Sequence, residues 1–219
     1  MSVPQPIPAP ADTEARLIDA AGEIFAQRGF QDATVREICA LAGANVAAVN
    51  YHYGDKLGLY IATLKASMEA SGPESALRVD ENEAPEDALR RLVTGIVRRV
   101  RTTGRPGWHF RMMMHEMAQP TQALPRVVEE VIGPRHQVIR EIISRLTGYP
   151  RDHELTRMCA HSVIGQVVHY VHGLPVIHLL WPEMKDLPDQ TERIAEHITR
   201  FSLAGIRATA SSYRGESHE

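Results

Sequence analysis

Cysteine is scarce in this 219-residue chain, and its two cysteines, Cys39 and Cys159, fall inside predicted helices. Two such thiols provide no disulfide framework, which is the pattern expected in a reducing cytoplasm. Alternation of apolar and polar residues, as in a strand, persists nowhere, whereas Pro and Gly interrupt apolar runs of helical period. With 43% hydrophobic residues the chain can form a real core. The sequence therefore predicts an all-α, cytoplasmic protein.

Positive charge is also limited. The net charge is −3, and the first 60 residues carry four basic and seven acidic side chains. Because phosphate affinity comes from Lys and Arg, this balance counts against binding of nucleic acid. Four of the acids lie on the predicted first helix, however, and backbone amides at helix starts can also hold phosphates.

No complete catalytic or metal-binding motif is present. His115 begins an HExxH-like pattern that ends in Gln119, a second such pattern ends in Arg157, and an inverted one carries Arg193 at the first ligand position. With no phosphate loop or nucleophile–base spacing either, the sequence predicts no enzyme, no cofactor and no metal site. The eleven histidines leave a metal-responsive sensor as the competing class.

Two segments are expected to stand apart from the helical core. Residues 1–11 hold four prolines and no Lys or Arg, which argues against a signal peptide and predicts a disordered tail. Residues 163–181 contain no Asp, Glu, Lys or Arg, so their length could span a bilayer. The polar Gln166, three histidines and a Gly173–Pro175 break favour a helix buried in protein, with no membrane partner.

Residues 34–56, TVREICALAGANVAAVNYHYGDK, predict two short helices joined by a tight turn. Thr34 and Glu37 have the spacing of a capping box, and Gly43 can take the left-handed conformation that the turn needs. Asn45 is a good N-cap for a second helix that runs from Val46 to about residue 53. This is the spacing of a helix-turn-helix, whose second helix lies in the major groove of DNA.

The residue types of this stretch suit contact with DNA. Ala47 and Ala48 are small enough to approach base edges and thymine methyl groups, and polar side chains beside them could donate to phosphates. The same pattern also fits an ordinary helical hairpin in a core. The candidate DNA-binding residues are Thr34, Arg36, Asn45, Val46, Ala47, Ala48, Asn50, Tyr51, His52 and Lys56.

This stretch and the helix before it resemble the DNA-binding head of the TetR family of bacterial repressors. The departures are Cys39, Asn45 and Asn50, where the family most often has Ala, Ser and Tyr. The run NVAAVNYHYG, and the block from Glu116 to Pro134, further resemble the CecR-like subgroup. The matching positions are Thr34, Ile38, Ala42, Gly43, Val49, His52, Lys56 and Leu59, with Tyr53 in place of Phe.

The resemblance implies a homodimeric repressor of transcription that a small-molecule effector releases from DNA. In a symmetric dimer two recognition helices lie about one DNA turn, ~34 Å, apart, which implies a near-palindromic, double-stranded operator. A transcriptional activator remains an alternative. The expected division is a tail at 1–11, the helix-turn-helix domain at 12–58, a ligand-binding and dimerisation domain at 59–212 and a flexible tail at 213–219.

The larger domain offers a candidate effector pocket. Residues 108–117 are rich in Met, whose soft side chain adapts to apolar ligands, although each Met could equally fill the core. The Arg-rich side of the fifth helix is expected to be solvated, and the final helix to use Phe201, Ala204 and Gly205 on its apolar face. The candidate ligand-binding residues are Trp108, Met112, Met113, His115, Glu116, His161, Gln166 and His169.

Overall fold

The computed structural model describes residues 10–70, 80–100, 105–186 and 189–216, and these residues form helices and short connections without a strand. The predicted all-α class is confirmed. The helices are α1 Pro10–Asp32, α2 Val35–Ala42, α3 Val46–Tyr53, α4 Lys56–Glu69, α5 Pro85–Val100, α6 Arg105–Ala118, α7 Leu124–Val127, α8 Gly133–Thr147, α9 Glu154–His172, α10 Leu174–Leu180 and α11 Gln190–Glu216. A π-helical turn, Val128–Ile132, joins α7 to α8, and a 3-10 turn, Pro182–Asp186, follows α10.

Two compact units make up the chain. Unit 1 comprises residues 1–72 and 103–131, and unit 2 comprises residues 73–102 and 132–219. Unit 1 includes α4, α6 and α7, which the sequence-based division at residue 58 placed in the larger domain, because α4 and α6 pack with the N-terminal helices. The tails differ too: α1 starts at Pro10 and α11 continues to Glu216, so the expected flexible tail begins inside a helix.

Unit 1 is built around aromatic side chains. The rings of Phe25 and Phe30 on α1 lie 4.8 and 5.1 Å, centroid to centroid, from the ring of Tyr60 on α4. On α1, Gly22 leaves space for the buried indole of Trp108 on α6, because a Cβ there would lie 2.0 Å from a ring carbon. The absence of a side chain at Gly22 therefore sets how closely α1 and α6 pack.

The backbone of α1 leaves the helical conformation at Gly29, where φ is 73°. The sequence predicted the end of the helix there, and the chain resumes a short helical turn to Asp32. Only glycine adopts this φ readily. A Cβ at Gly29 would also lie 3.0 Å from Cγ of His115, so the side chain of His115 packs against this bend.

In unit 2, ion pairs join α5 to α11. Arg90 contacts Glu196 at 3.2 Å, and Arg98 contacts Glu192 at 2.7 Å. The arginine side of α5 is solvated, as expected, because Arg90 and Arg98 are 44% and 64% exposed, and their partners are acids at matching positions of α11. Arg101 lies outside the described residues.

The buried stripe of α11 differs from the predicted one. Ile194, Ile198 and Ile206 are buried, as expected from their spacing of about four residues. Phe201, by contrast, is 63% exposed, and Ala204 and Gly205 are exposed as well. The predicted apolar face of α11 is therefore only partly covered within unit 2, and Phe201, Ala204 and Gly205 leave an exposed apolar stripe.

Among the described residues, no single helix is long and apolar enough to cross a membrane. The segment Glu154–Tyr170 of α9 and the helix Leu174–Leu180 pass that test only together, and a bend of 69° separates them.

Candidate DNA-binding surface and effector site

The predicted caps form around α2. The hydroxyl of Thr34 accepts from the backbone N–H of Glu37 at 3.2 Å, and the Glu37 carboxylate accepts from the backbone N–H of Thr34 at 3.2 Å. This reciprocal capping box holds the start of the helix. Arg28 forms an ion pair with the same carboxylate, and the hydrogen bonds from Thr34, followed by the Arg28 contacts, lower the pKa of Glu37.

The turn between α2 and α3 also has its expected geometry. Gly43 is left-handed, with φ 60° and ψ 38°, and its backbone N–H returns to carbonyls of α2. The Asn45 side chain then accepts from the N–H of Ala48 at 2.8 Å and caps α3. Capping and turn preferences are local, so these residues fix where α2 ends and α3 begins.

Helix α3 is held to unit 1 along one narrow edge. Val49 is its single buried residue. The Tyr53 hydroxyl donates to the carbonyl of Glu14 on α1 at 3.3 Å, and burial, followed by the Glu14 charge, raises the pKa of Tyr53 to about 12. The other residues of α3 are exposed or half-exposed.

Lys56 follows α3 at the start of α4. Its ammonium donates to the carbonyl of Gln31 at 3.1 Å and lies 4.7 Å from the ring centroid of Phe30. Burial lowers the pKa of Lys56, against an opposing effect of the Asp32 charge. One of its three N–H donors is thus engaged within the unit, and the other two can serve a phosphate.

All ten candidate DNA-binding residues lie on α2, α3 or their flanks, and none is buried. Tyr51 is 85% exposed and Val46 is 43% exposed. The eight residues of α3 make a rod about 12 Å long at 1.5 Å per residue. A major groove about 12 Å wide admits an α-helix. The exposed positions are Thr34, Arg36, Asn45, Val46, Ala47, Asn50 and Tyr51, and the half-exposed ones are Ala48, His52 and Lys56.

The five candidate effector residues on α6 belong to the packing of unit 1. Trp108, Met112 and Met113 are buried, and Glu116 is only 1% exposed. The Glu116 carboxylate accepts from the backbone N–H and the hydroxyl of Thr121 at 3.1 and 2.8 Å. The fifth, His115, lies on a different side of the helix.

Tyr60 on α4 connects Glu116 to the N-terminal helices. Its hydroxyl donates to the Glu116 carboxylate at 3.4 Å. Burial, followed by the charge of Glu116, raises the pKa of Tyr60. The oxygens of Glu116 are therefore used inside the unit, where they join α4, α6 and the loop after α6.

A cleft of about 600 Å³ opens beside His115. It is lined by residues 27–32 at the end of α1, and by His115, Ala118 and residues 119–121. His115 is the only candidate effector residue that lines it. The bend at Gly29 forms one wall, so the shape of the cleft depends on the junction between α1 and α6.

The remaining three candidates lie on α9 in unit 2. Gln166 donates to the hydroxyl of Ser202 on α11 at 3.1 Å. The ring of His161 lies 4.8 Å, centroid to centroid, from that of His136 on α8, whereas His169 is exposed beside the ring of Tyr170. These three side chains are spread along α9.

Unit 2 has a larger cavity that the sequence did not indicate, with a volume of about 1010 Å³. Its walls include the aromatic side chains of Tyr170, Trp181 and Phe201 and the charged side chains of α11. No local sequence signal locates it, because only the packing of the helices leaves these aromatic side chains uncovered. Within the part of the chain that the structure describes, no three His, Cys, Asp or Glu side chains converge as a metal site would require.

A slim, capped helix exposed beside a Gly turn, followed by a larger helical unit, defines a helix-turn-helix regulator of transcription. Family comparison agrees: the model "Bacterial regulatory proteins, tetR family" matches residues 17–63. The model "HTH-type transcriptional dual regulator CecR, C-terminal domain" matches residues 85–206. The chain therefore belongs to the TetR family of transcriptional regulators and carries a CecR-type C-terminal domain, as the sequence predicted.

Individual relatives are consistent with this assignment. The chain is 29% identical, over 196 residues, to the HTH-type transcriptional dual regulator CecR of Shigella flexneri, covering 84% of this chain and 86% of the relative. A solved structure of a HlyIIR variant superposes with a TM-score of 0.64 at 21% identity, covering 87% of this chain and 99% of that one. The fatty acid degradation regulator FadR of Bacillus halodurans has a TM-score of 0.63 at 19% identity, covering 87% and 98%. The family consists of regulators, which confirms the prediction that the chain is not an enzyme.

Proposed function

We propose that the chain is a dimeric, ligand-responsive, cytoplasmic repressor that binds a near-palindromic operator. The observation that carries this proposal is α3: Val49 is its single buried residue, and its start is fixed by the Gly43 turn and the Asn45 cap. A short helix so positioned, with an exposed face of small and polar residues, suits a DNA groove better than a protein core.

The exposed side chains divide into two groups. Val46, Ala47 and Ala48 form a low apolar surface that suits thymine methyl groups, and Asn50 can hydrogen-bond an adenine edge. The surrounding donors lie at the rim, where they would contact phosphates and fix the register. The rim residues are Thr34, Arg36, Asn45, Tyr51, His52 and Lys56.

Dimerisation through α9 and α11 is supported by apolar surface left uncovered in unit 2. Phe201 on α11 and Met158 on α9 are 63% and 56% exposed, and Ala204, Gly205 and Gly165 are exposed small residues. An isologous pair would cover the same stripes on both subunits, and small residues let helices approach closely. Two α3 helices would then meet successive turns of one face of the duplex.

Effector binding would act on DNA binding through the packing of α6. Glu116 on α6 accepts from Tyr60 on α4, and Trp108 on α6 fills the space left by Gly22 on α1. A shift of α6 would therefore change its contacts with both α1 and α4, the two helices that flank the helix-turn-helix. Direct ligand contact is proposed for His115, which lines the cleft of unit 1, and separately for His161, Gln166 and His169 on α9 of unit 2. The buried Trp108, Met112, Met113 and Glu116 would respond through packing. An effector can shift the balance only by its differential affinity, typically about 1–3 kcal/mol.

The test is selection of bound duplexes from a random pool, followed by release with candidate small molecules. We expect an enriched inverted repeat with half-sites about one turn apart. Equal retention of all duplexes at moderate salt would contradict the proposal. Binding of the selected duplexes by a monomer as tightly as by a dimer would contradict it as well. A compound class that releases the duplex from the protein, but not from a variant with alanine at His115, His161, Gln166 and His169, would support the effector site.

Activation of transcription is a second candidate outcome, because the CecR relative is named a dual regulator. It needs the same DNA surface. Transcription measured in vitro from a promoter that carries the selected operator separates the two: repression lowers transcript yield, and activation raises it. A metal-responsive sensor requires near-stoichiometric zinc or nickel in protein purified without an affinity tag.

A further inference from the structure

Two nitrogen atoms on one face of α8 are buried without a hydrogen-bond partner among the described residues. They are Nε2 of His136 and Nε of Arg140, four residues apart. Residues with this spacing are neighbours on a helix. Buried polar atoms are nearly always hydrogen-bonded, so two orphans side by side point to a missing partner.

The surroundings of these two atoms are rich in further donors. The ring of His161 on α9 lies 4.8 Å, centroid to centroid, from the ring of His136. Nη1 of Arg140 donates to Asp152 at 2.8 Å, and that carboxylate also accepts from Arg157 at 3.3 Å. Three positively charged or chargeable side chains, His136, Arg140 and His161, thus lie where α8 packs on α9, and Asp152 is already engaged by Arg140 and Arg157.

The sign of the charge selects the class of ligand. A guanidinium is always positively charged and donates only, so it repels a metal cation and matches an oxyanion. No third metal-ligating side chain joins the two histidines among the residues that the structure describes. We propose that His136, Arg140 and His161 form a binding site for a small oxyanion, the carboxylate or phosphate group of an acidic metabolite.

Such a site makes anion binding pH-dependent. Burial, followed by the charges of His161 and Arg140, lowers the pKa of His136 below its ordinary value, so the free ring is neutral at pH 7. A bound anion favours the imidazolium, so anion binding takes up a proton from solution. For each proton taken up, the affinity falls by up to tenfold for every pH unit above the pKa of the free ring. The charged groups next to the cluster are Arg140 on α8, Asp152 in the preceding turn, and Arg157 and His161 on α9.

The inference does not require the DNA-binding proposal, because binding is measured on the full-length protein without DNA. Sodium sulfate and sodium acetate are the probes, since neither changes its charge between pH 6 and 8. They represent the tetrahedral anion and the carboxylate. The imidazole NMR signals of the histidines are followed at constant ionic strength against sodium chloride, and the His136→Gln and His161→Gln variants assign the two signals.

We expect at least one probe to shift the His136 and His161 signals saturably, with affinity about tenfold or more weaker at pH 8 than at pH 6. Arg140→Gln should weaken binding about tenfold or more, because it removes a charge-assisted donor. His161→Gln, at an exposed position, provides the same test if the Arg140 variant does not fold. Arg151→Gln, at an exposed pair with Glu141, is the matched control and should leave affinity unchanged.

Three results would overturn the proposal. The first is an absence of saturable shifts with either anion, which would mean that water alone satisfies the two nitrogen atoms. The second is equal binding by the Arg140 or His161 variant and the Arg151 control. The third is a tighter response of the same two signals to zinc chloride than to either anion, which would identify a metal pair instead. Preference for sulfate over acetate would assign the phosphate-like source, and the reverse preference the carboxylate.

Discussion

Substituting alanine for Gly22 tests the packing of α1 on α6. A Cβ at this position would lie 2.0, 2.2 and 2.3 Å from three carbons of the Trp108 ring, so the buried indole would have to move by more than 1 Å. Overpacking of this kind costs up to about 3 kcal/mol. Alanine regains about 1 kcal/mol through its higher helix propensity. The net loss is therefore up to about 2 kcal/mol, or a fall in Tm of up to roughly 4–8 °C for a chain of this size.

The assay is urea and thermal unfolding followed by circular dichroism. Gly95→Ala is the matched control, because a Cβ there would meet no described atom within 4 Å, and we expect it to stabilise by up to about 1 kcal/mol. Adding Trp108→Leu to the Gly22→Ala variant should recover part of the loss, a coupling of about 1–3 kcal/mol. A Gly22→Ala variant as stable as the Gly95→Ala variant would refute the packing described here, and Trp108 would then be free to line a pocket.

Three further predictions concern the head and α5. Gly43→Ala forces a Cβ into the left-handed region and should cost about 1–2 kcal/mol in urea unfolding, and unchanged stability would contradict the turn geometry. Because the pKa of Tyr53 is raised to about 12, its contribution to stability is present below about pH 10, the ordinary Tyr pKa, and is lost as the pH rises toward 12. The Tyr53→Phe variant should lack this part of the alkaline loss in unfolding experiments, and an identical alkaline profile would argue against it. Arg98→Gln removes an exposed pair with Glu192 and should cost at most about 1 kcal/mol with operator affinity unchanged, whereas a several-fold drop in affinity would show that α5 contacts DNA.

The head could be predicted from sequence because its signals are local. The Thr34–Glu37 capping box, the Gly43 turn and the Asn45 cap each depend on residues within four positions, and all three appear in the structure. Because these three local signals agree, they predict a helix-turn-helix more specifically than any one of them alone.

Which helices pack against one another was harder to predict from the sequence. Periodicity placed Trp108 and Glu116 on one helix, but nothing local showed that α6 packs on α1 and α4. Phe201 has the spacing of a core residue, and only the three-dimensional packing shows that a different stripe of α11 is covered. The His136–Arg140 pair was missed because its significance depends on α9 lying alongside.

The central claim is that α3 reads bases in the major groove, once in each of two symmetric half-sites. Its most direct test is equilibrium binding of the selected operator, and of every single-base variant of one half-site, by the protein and by Asn50→Ala. We expect the variant to lose about 1–3 kcal/mol on the operator and to lose discrimination at one base position per half-site. A uniform loss on all duplexes, or none on any, would contradict the claim.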